Sequence, residues 1–119
     1  MASRKRKDDP RRRREEEVEA FVREVRRRMK ELRTDAVYVP FLNYGPFDHN
    51  PDDRPLPLAE FPEVFRPLYD AVEYVENSRY VRGFGPEARV KIMRIQEAPP
   101  GNPFPLVSDV VWRNWTPSY

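Results

Sequence analysis

The chain has 119 residues, 35% of them charged and 39% hydrophobic, and a net charge of +2. That length is one domain's worth and supports a core of modest size. The complete absence of cysteine excludes a disulfide framework, thiolate zinc sites and cysteine catalysis.

No apolar run approaches 18 residues, and no charged and apolar leader pattern follows Met1. The expectation is a soluble intracellular protein with no membrane partner. The small net charge conceals a gradient along the chain. Residues 1–33 carry 14 basic and 8 acidic side chains, whereas residues 34–119 carry 8 and 12. A basic start at +6 and an acidic remainder at −4 point to an anionic partner at one end. Arginine outnumbers lysine 18 to 4, which favours bidentate phosphate contacts, although a GC-rich genome gives the same bias. A single glutamine, dense Glu/Arg pairing and 14 prolines also match thermophile composition.

In chain order, residues 1–9 form a basic tail with nothing apolar to bury, expected to be disordered on its own. Asp9-Pro10 then gives a helix start, with Asp as N-cap and Pro at the first helical position. The helix is predicted over residues 10–34. Within it Val18, Val22, Val25, Met29 and Leu32 are spaced 4, 3, 4, 3, with Ala20 and Phe21 alongside. This heptad seam covers about two heptads, too few for a free coiled coil, so it must dock on the body or on a partner.

The arginines of this helix fall into two groups. Arg23, Arg26, Lys30 and Arg33 make one stripe beside the seam. Glu19 stands four residues before Arg23 and Glu24 four before Arg28, in the favoured order. Arg26, Lys30 and Arg33 have no acidic residue three or four positions away on the helix. Arg11, Arg12, Arg13 and Arg14 crowd the first turn, where the macrodipole disfavours cations. An external phosphate against them would gain from their charge and from free amide groups. With Arg4, Lys5, Arg6 and Lys7 ahead, the segment could reach several successive phosphates.

Residues 35–119 hold thirteen prolines and are expected to form a compact body of short elements. AVYVPFL is a predicted strand with Pro40 near its end or at a sheet edge. NYGPFDHNPDDRPLP is a predicted irregular loop. Val64, Phe65, Leu68, Val72 and Val75 keep helical spacing, with Pro67 in the first turn or kinking the helix. ARVKIMRIQE and LVSDVVWRNW are predicted strands separated by APPGNPFP. The fold class is therefore α+β: a long basic amphipathic N-terminal helix, then a proline-rich body with one further helix and about three short strands.

Two stretches of the body resemble a known pattern. RGFG at Arg82–Gly85 resembles the opening of the RNA-recognition-motif signature, and VYVPFL at Val37–Leu42 its companion strand. Pro86 stands where that family has an aromatic, and an ordinary glycine turn leading into a strand explains RGFG as well. Asp48, His49, Asn50, Asp52 and Asp53 could be drawn as a cation site, but they are also standard Asx-turn residues. No metal, cofactor, small-molecule substrate or enzymatic activity is expected. Trp112 and Trp115 are predicted on opposite faces of a strand, one buried and one available for contact.

These features lead to two expectations. One is a small structural nucleic-acid-binding protein, of nucleocapsid, chromatin or ribosome-associated type. It would grip the phosphate backbone of DNA or RNA through Arg4–Lys7, Arg11–Arg14, Arg23, Arg26, Lys30 and Arg33. Protein partners or self-association would then use Val18, Phe21, Val22, Val25, Met29, Leu32, Trp112 and Trp115. The other is a protein–protein adaptor or accessory subunit of a large assembly, docking through the heptad seam.

Overall fold

The computed structural model describes residues 9–117. Helix α1 spans Pro10–Leu32, starting where Asp9 accepts a 3.0 Å hydrogen bond from the Arg11 amide. It ends at Arg33, which takes a left-handed conformation (φ 52°) while Thr34 N donates to the Met29 carbonyl. Beyond it come strands β1 (Ala36–Asn43) and β2 (Arg54–Pro55), helices α2 (Leu68–Asn77) and α3 (Arg79–Arg82), and strands β3 (Arg89–Glu97) and β4 (Leu106–Arg113). The fold is α+β, with a four-stranded antiparallel sheet of order β2-β1-β3-β4.

Side chains alternate across a strand, and here both faces are covered. Val37, Val39, Met93 and Ile95 meet Val25 and Met29 of α1, with Val64 completing that cluster. Leu42, Val90 and Ile92 face the other way, against Ala71 and Val75 of α2, Val81 of α3 and Leu56. Two covered faces explain why β1 and β3 are nearly continuous apolar runs rather than alternating ones.

Proline 40 lies inside β1, opposite Ile92, rather than at its end. Its carbonyl accepts from Leu56 N (3.0 Å), on the side away from β3. In an antiparallel strand the amide of a residue points the same way as its carbonyl, so no β3 hydrogen bond is lost. Val64 and Phe65 also depart from expectation, because they precede α2 instead of belonging to it. Phe65 exchanges two backbone hydrogen bonds with Tyr38 (2.8 and 2.9 Å), and Pro67 becomes the N-cap residue. This extended segment protects the outer edge of β1.

RGFG lies at the end of α3 and in the following turn, and β3 begins only at Arg89. The glycines therefore do not sit on a strand as the RNA-recognition signature requires. Trp115 likewise lies past the end of β4, so the two tryptophans do not occupy opposite faces of one strand. Asn114 turns the chain there, accepting from Val90 N (2.9 Å) and donating to Ala88 O (2.9 Å). Trp112 packs into the α2-side core, and Arg89 lies 5.7 Å over the Trp115 ring. Both tryptophans are half-buried.

Candidate nucleic-acid interface

The geometry of the site follows from how little of α1 rests on the sheet. Val25 is fully buried and Met29 is 6% exposed, while Phe21, Val22 and Leu32 are half-buried at the margin. Phe21 meets Phe41 edge-on at 5.7 Å. Every residue from Asp9 to Ala20 is exposed, and Val18, the first residue of the seam, is 55% exposed. Eleven helical residues, a rise of about 16 Å, thus project beyond the packed part. Because Val25 and Met29 sit in the protein's own core, what the seam can offer a partner is its upper end at Val18 and Phe21.

Along this helix the arginines have different neighbours. Arg26 forms a two-point contact with Glu97 of β3 (Nε–Oε1 2.8 Å, Nη2–Oε2 3.0 Å), a partner 71 residues away. Arg27 grips Glu24 through both ends of its guanidinium (3.1 and 2.6 Å) and also reaches Glu31. Arg28 pairs with Glu31 at 2.6 Å, so the Glu24–Arg28 spacing in the sequence is not used. Arg12 is 3.4 Å from Glu16, and Arg14 is 3.8 Å from Asp52. Arg11, Arg23, Lys30 and Arg33 are exposed and make no ion pair among the described residues. Arg4, Lys5, Arg6 and Lys7 lie outside the described residues.

Hydrogen bonding from Arg27 holds the Glu24 carboxyl below its usual pKa, against the opposing effect of burial and with help from the charges of Arg27 and Arg28. This acidic flank is therefore neutralised internally. The opposite flank, with Arg23, Lys30 and Arg33, is not, apart from Arg26.

Each side of the projecting helix borders a groove. One is a shallow trough of about 860 Å³ in which Arg11, Val18, Val22 and Arg23 face Pro105 of the β3–β4 loop. The other, of about 1080 Å³, is apolar: Val18, Phe21 and Phe41 face Pro57, Leu58 and Phe61. Phe61 is 76% exposed, and the segment carrying it is tied down where Leu58 N donates to the Tyr80 hydroxyl (2.7 Å).

The acidic loop between β1 and β2 has a structural role that sequence reasoning missed. Lys91, 2% exposed in the side chain, donates to Asp53 Oδ2 at 2.5 Å and to the Asp48 carbonyl. Asp53 also accepts from the Tyr44 and Asn50 amides (2.7 and 3.0 Å). Asp48 is held in turn by Arg113, with Nε–Oδ1 at 2.8 Å. The two aspartates thus tie the loop to β3 and β4. The available signal was the lysine in the apolar run ARVKIM, since a buried lysine needs a carboxylate partner. Among the described residues no group of three or more His, Cys, Asp or Glu side chains could hold a metal ion, and no helix is long and apolar enough to cross a membrane.

Set beside known proteins, this α+β chain matches no protein-family model, no characterised protein and no solved structure.

Proposed function

We propose that this protein binds the phosphate backbone of nucleic acid without reading its sequence, through the projecting half of α1 and the basic flank that continues from it. The observation that carries this function is exposed positive charge in two groups on one helix, at its tip and along its later turns, on either side of the exposed Glu15–Glu19 segment. Arg11 at the tip and Arg23, Lys30 and Arg33 further along are open to solvent, with no acidic side chain paired to them among the described residues. The body, at −4 over residues 34–119, repels phosphate and leaves only the helix side for approach. Arg26 is committed to Glu97, so it contributes less than its place in the stripe suggests.

A mobility-shift titration with duplex DNA and duplex RNA at two salt concentrations tests this. With about four phosphates engaged, affinity falls by about 10²-fold between 50 and 200 mM salt. Arg23→Glu with Lys30→Glu weakens binding to either nucleic acid and reduces the salt slope. Binding that is absent at low salt, or indifferent to salt, rules the function out.

The second reading is a protein–protein adaptor, favoured by the apolar groove between α1 and the Pro57–Phe61 segment. An apolar helix laid there would bury Val18, Leu58 and Phe61. Its affinity would be insensitive to salt and to Arg23→Glu with Lys30→Glu, but would be lost in Phe61→Asp.

A further inference from the structure

The projecting half of α1 has an unusual charge order. Four cations, Arg11–Arg14, are followed within five residues by four anions, Glu15, Glu16, Glu17 and Glu19. All eight are exposed. For an isolated helix the order is unfavourable twice over. Cations sit at the positive end of the dipole, and each i,i+4 pair runs from base to acid, the weaker direction. The pairs Arg12–Glu16 and Arg14–Asp52 do little to offset this, being 3.4 and 3.8 Å long and more than half exposed at every partner.

A positive block followed by a negative block is, however, its own complement when turned end for end. We propose that two copies of this chain pair through these projecting segments, with the helices antiparallel about a two-fold axis passing between Glu15 and Glu16. In that register Arg12 lies opposite Glu19 of the second copy, and Arg14 lies opposite its Glu17. Helical phase supports the same register. Arg12 and Glu19 are seven residues apart and share one flank, while Arg14 and Glu17 are three apart and share the other. The two-fold repeats each pair, giving four ion pairs from one interface of the isologous type.

The register puts Pro10 opposite Phe21 on the Arg14–Glu17 flank and, between the flanks, brings the exposed Val18 over the aliphatic stem of a facing arginine. Glu15 and Glu16 of the two copies meet at the axis, a like-charge contact that the four ion pairs outnumber. The tip of each helix enters the groove beside Phe21 of the other copy. A two-fold of this kind joins equivalent flanks, so the Arg23–Lys30 rows of both copies fall on one side of the dimer. Pairing does not depend on phosphate binding, and it is tested without nucleic acid.

Sedimentation of the full chain measures it. The wild type is expected at twice the 14.3 kDa chain mass at 50 mM salt and at the single-chain mass at 500 mM. Arg12→Glu with Arg14→Glu turns all four ion pairs into acid–acid contacts, and Glu17→Arg with Glu19→Arg turns them into base–base contacts. Each double variant alone sediments as one chain. Mixed in equal amounts they restore the two-chain species, because positions 12, 14, 17 and 19 of each variant then face the opposite charge. Circular dichroism confirms that both variants keep the helix. The proposal is overturned by a wild type that stays at single-chain mass at low salt. It is equally overturned by variants that still pair alone, which places the contact elsewhere, or by folded variants whose mixture stays at single-chain mass.

Discussion

Asp53 shows how one buried pair organises a loop that looks irregular in the sequence. Its side chain is 8% exposed and Lys91's is 2% exposed, so removing either leaves the other charged and covered. Asp53→Ala is expected to cost about 3–5 kcal/mol, measured as a lowered urea midpoint. Replacing both residues together, Asp53→Leu with Lys91→Met, should recover much of that loss; if the double variant is as unstable as the single one, the pair is not what holds the loop. Acid titration probes the same group. Burial acts to raise the Asp53 pKa, but hydrogen bonds from Lys91, Tyr44 N and Asn50 N together outweigh it and hold the carboxyl below its usual value. With the folded pKa below the unfolded one, the unfolded chain takes up the proton first as pH falls. The contribution is complete above the ordinary carboxylate range, near pH 4, and is lost progressively below it. Glu24, also held low, adds a loss of the same sign. Stability should therefore drop on acidification below about pH 4, and less steeply in Asp53→Ala.

At the scale of elements, α1 is one helix with two environments, and substitutions along its seam should separate them. Met29→Ala empties a packed site between helix and sheet and is expected to cost about 2–5 kcal/mol. Val18→Ala, on the projecting half, should change the unfolding free energy by no more than about 0.5 kcal/mol. Equal losses at the two positions would mean that the upper seam is covered as well. The seam itself was legible in the sequence because it is periodic and local, as were the Asp9-Pro10 start and the strands around AVYVPFL and VKIM. Sequence alone puts Pro40 near a strand end or at a sheet edge, because a proline's missing amide costs a ladder bond elsewhere. Nothing local indicates that its amide side faces Leu56. Val64 and Phe65 mimic helical spacing, and only the distant Tyr38 edge makes them extended. Of the candidate interface, the exposed cations Arg23, Lys30 and Arg33 could be picked out by their lack of near-neighbour acids. Arg26 met the same criterion and yet reaches Glu97, since helix spacing carries no information about a partner on β3.

For the molecule as a whole, the projecting helix is a matter of local stability as much as of charge. Residues 10–20 are all exposed, and a helical segment shorter than about 12–15 residues is marginal in water on its own. They stay helical because they extend a helix nucleated and held by Val25 and Met29. Fraying from the Pro10 end should thus need far less free energy than unfolding the sheet. Amide exchange on dilute protein without nucleic acid is expected to show the Glu15–Ala20 amides exchanging within a few-fold of unstructured rates. Those of Val25–Leu32 should be exposed only on global unfolding. Two additions then separate the events proposed for this arm. Raising the protein concentration at low salt slows exchange over residues 11–20, where the second copy lies, and the effect is absent in Arg12→Glu with Arg14→Glu. Adding duplex DNA or RNA to the Glu17→Arg with Glu19→Arg variant, which cannot pair with itself, slows exchange in the same segment through phosphate contact alone. If Glu15–Ala20 in the dilute wild type were as protected as Val25–Leu32, the helix end would already have a partner within the chain. Neither phosphate nor a second copy would then be needed to account for its charge order.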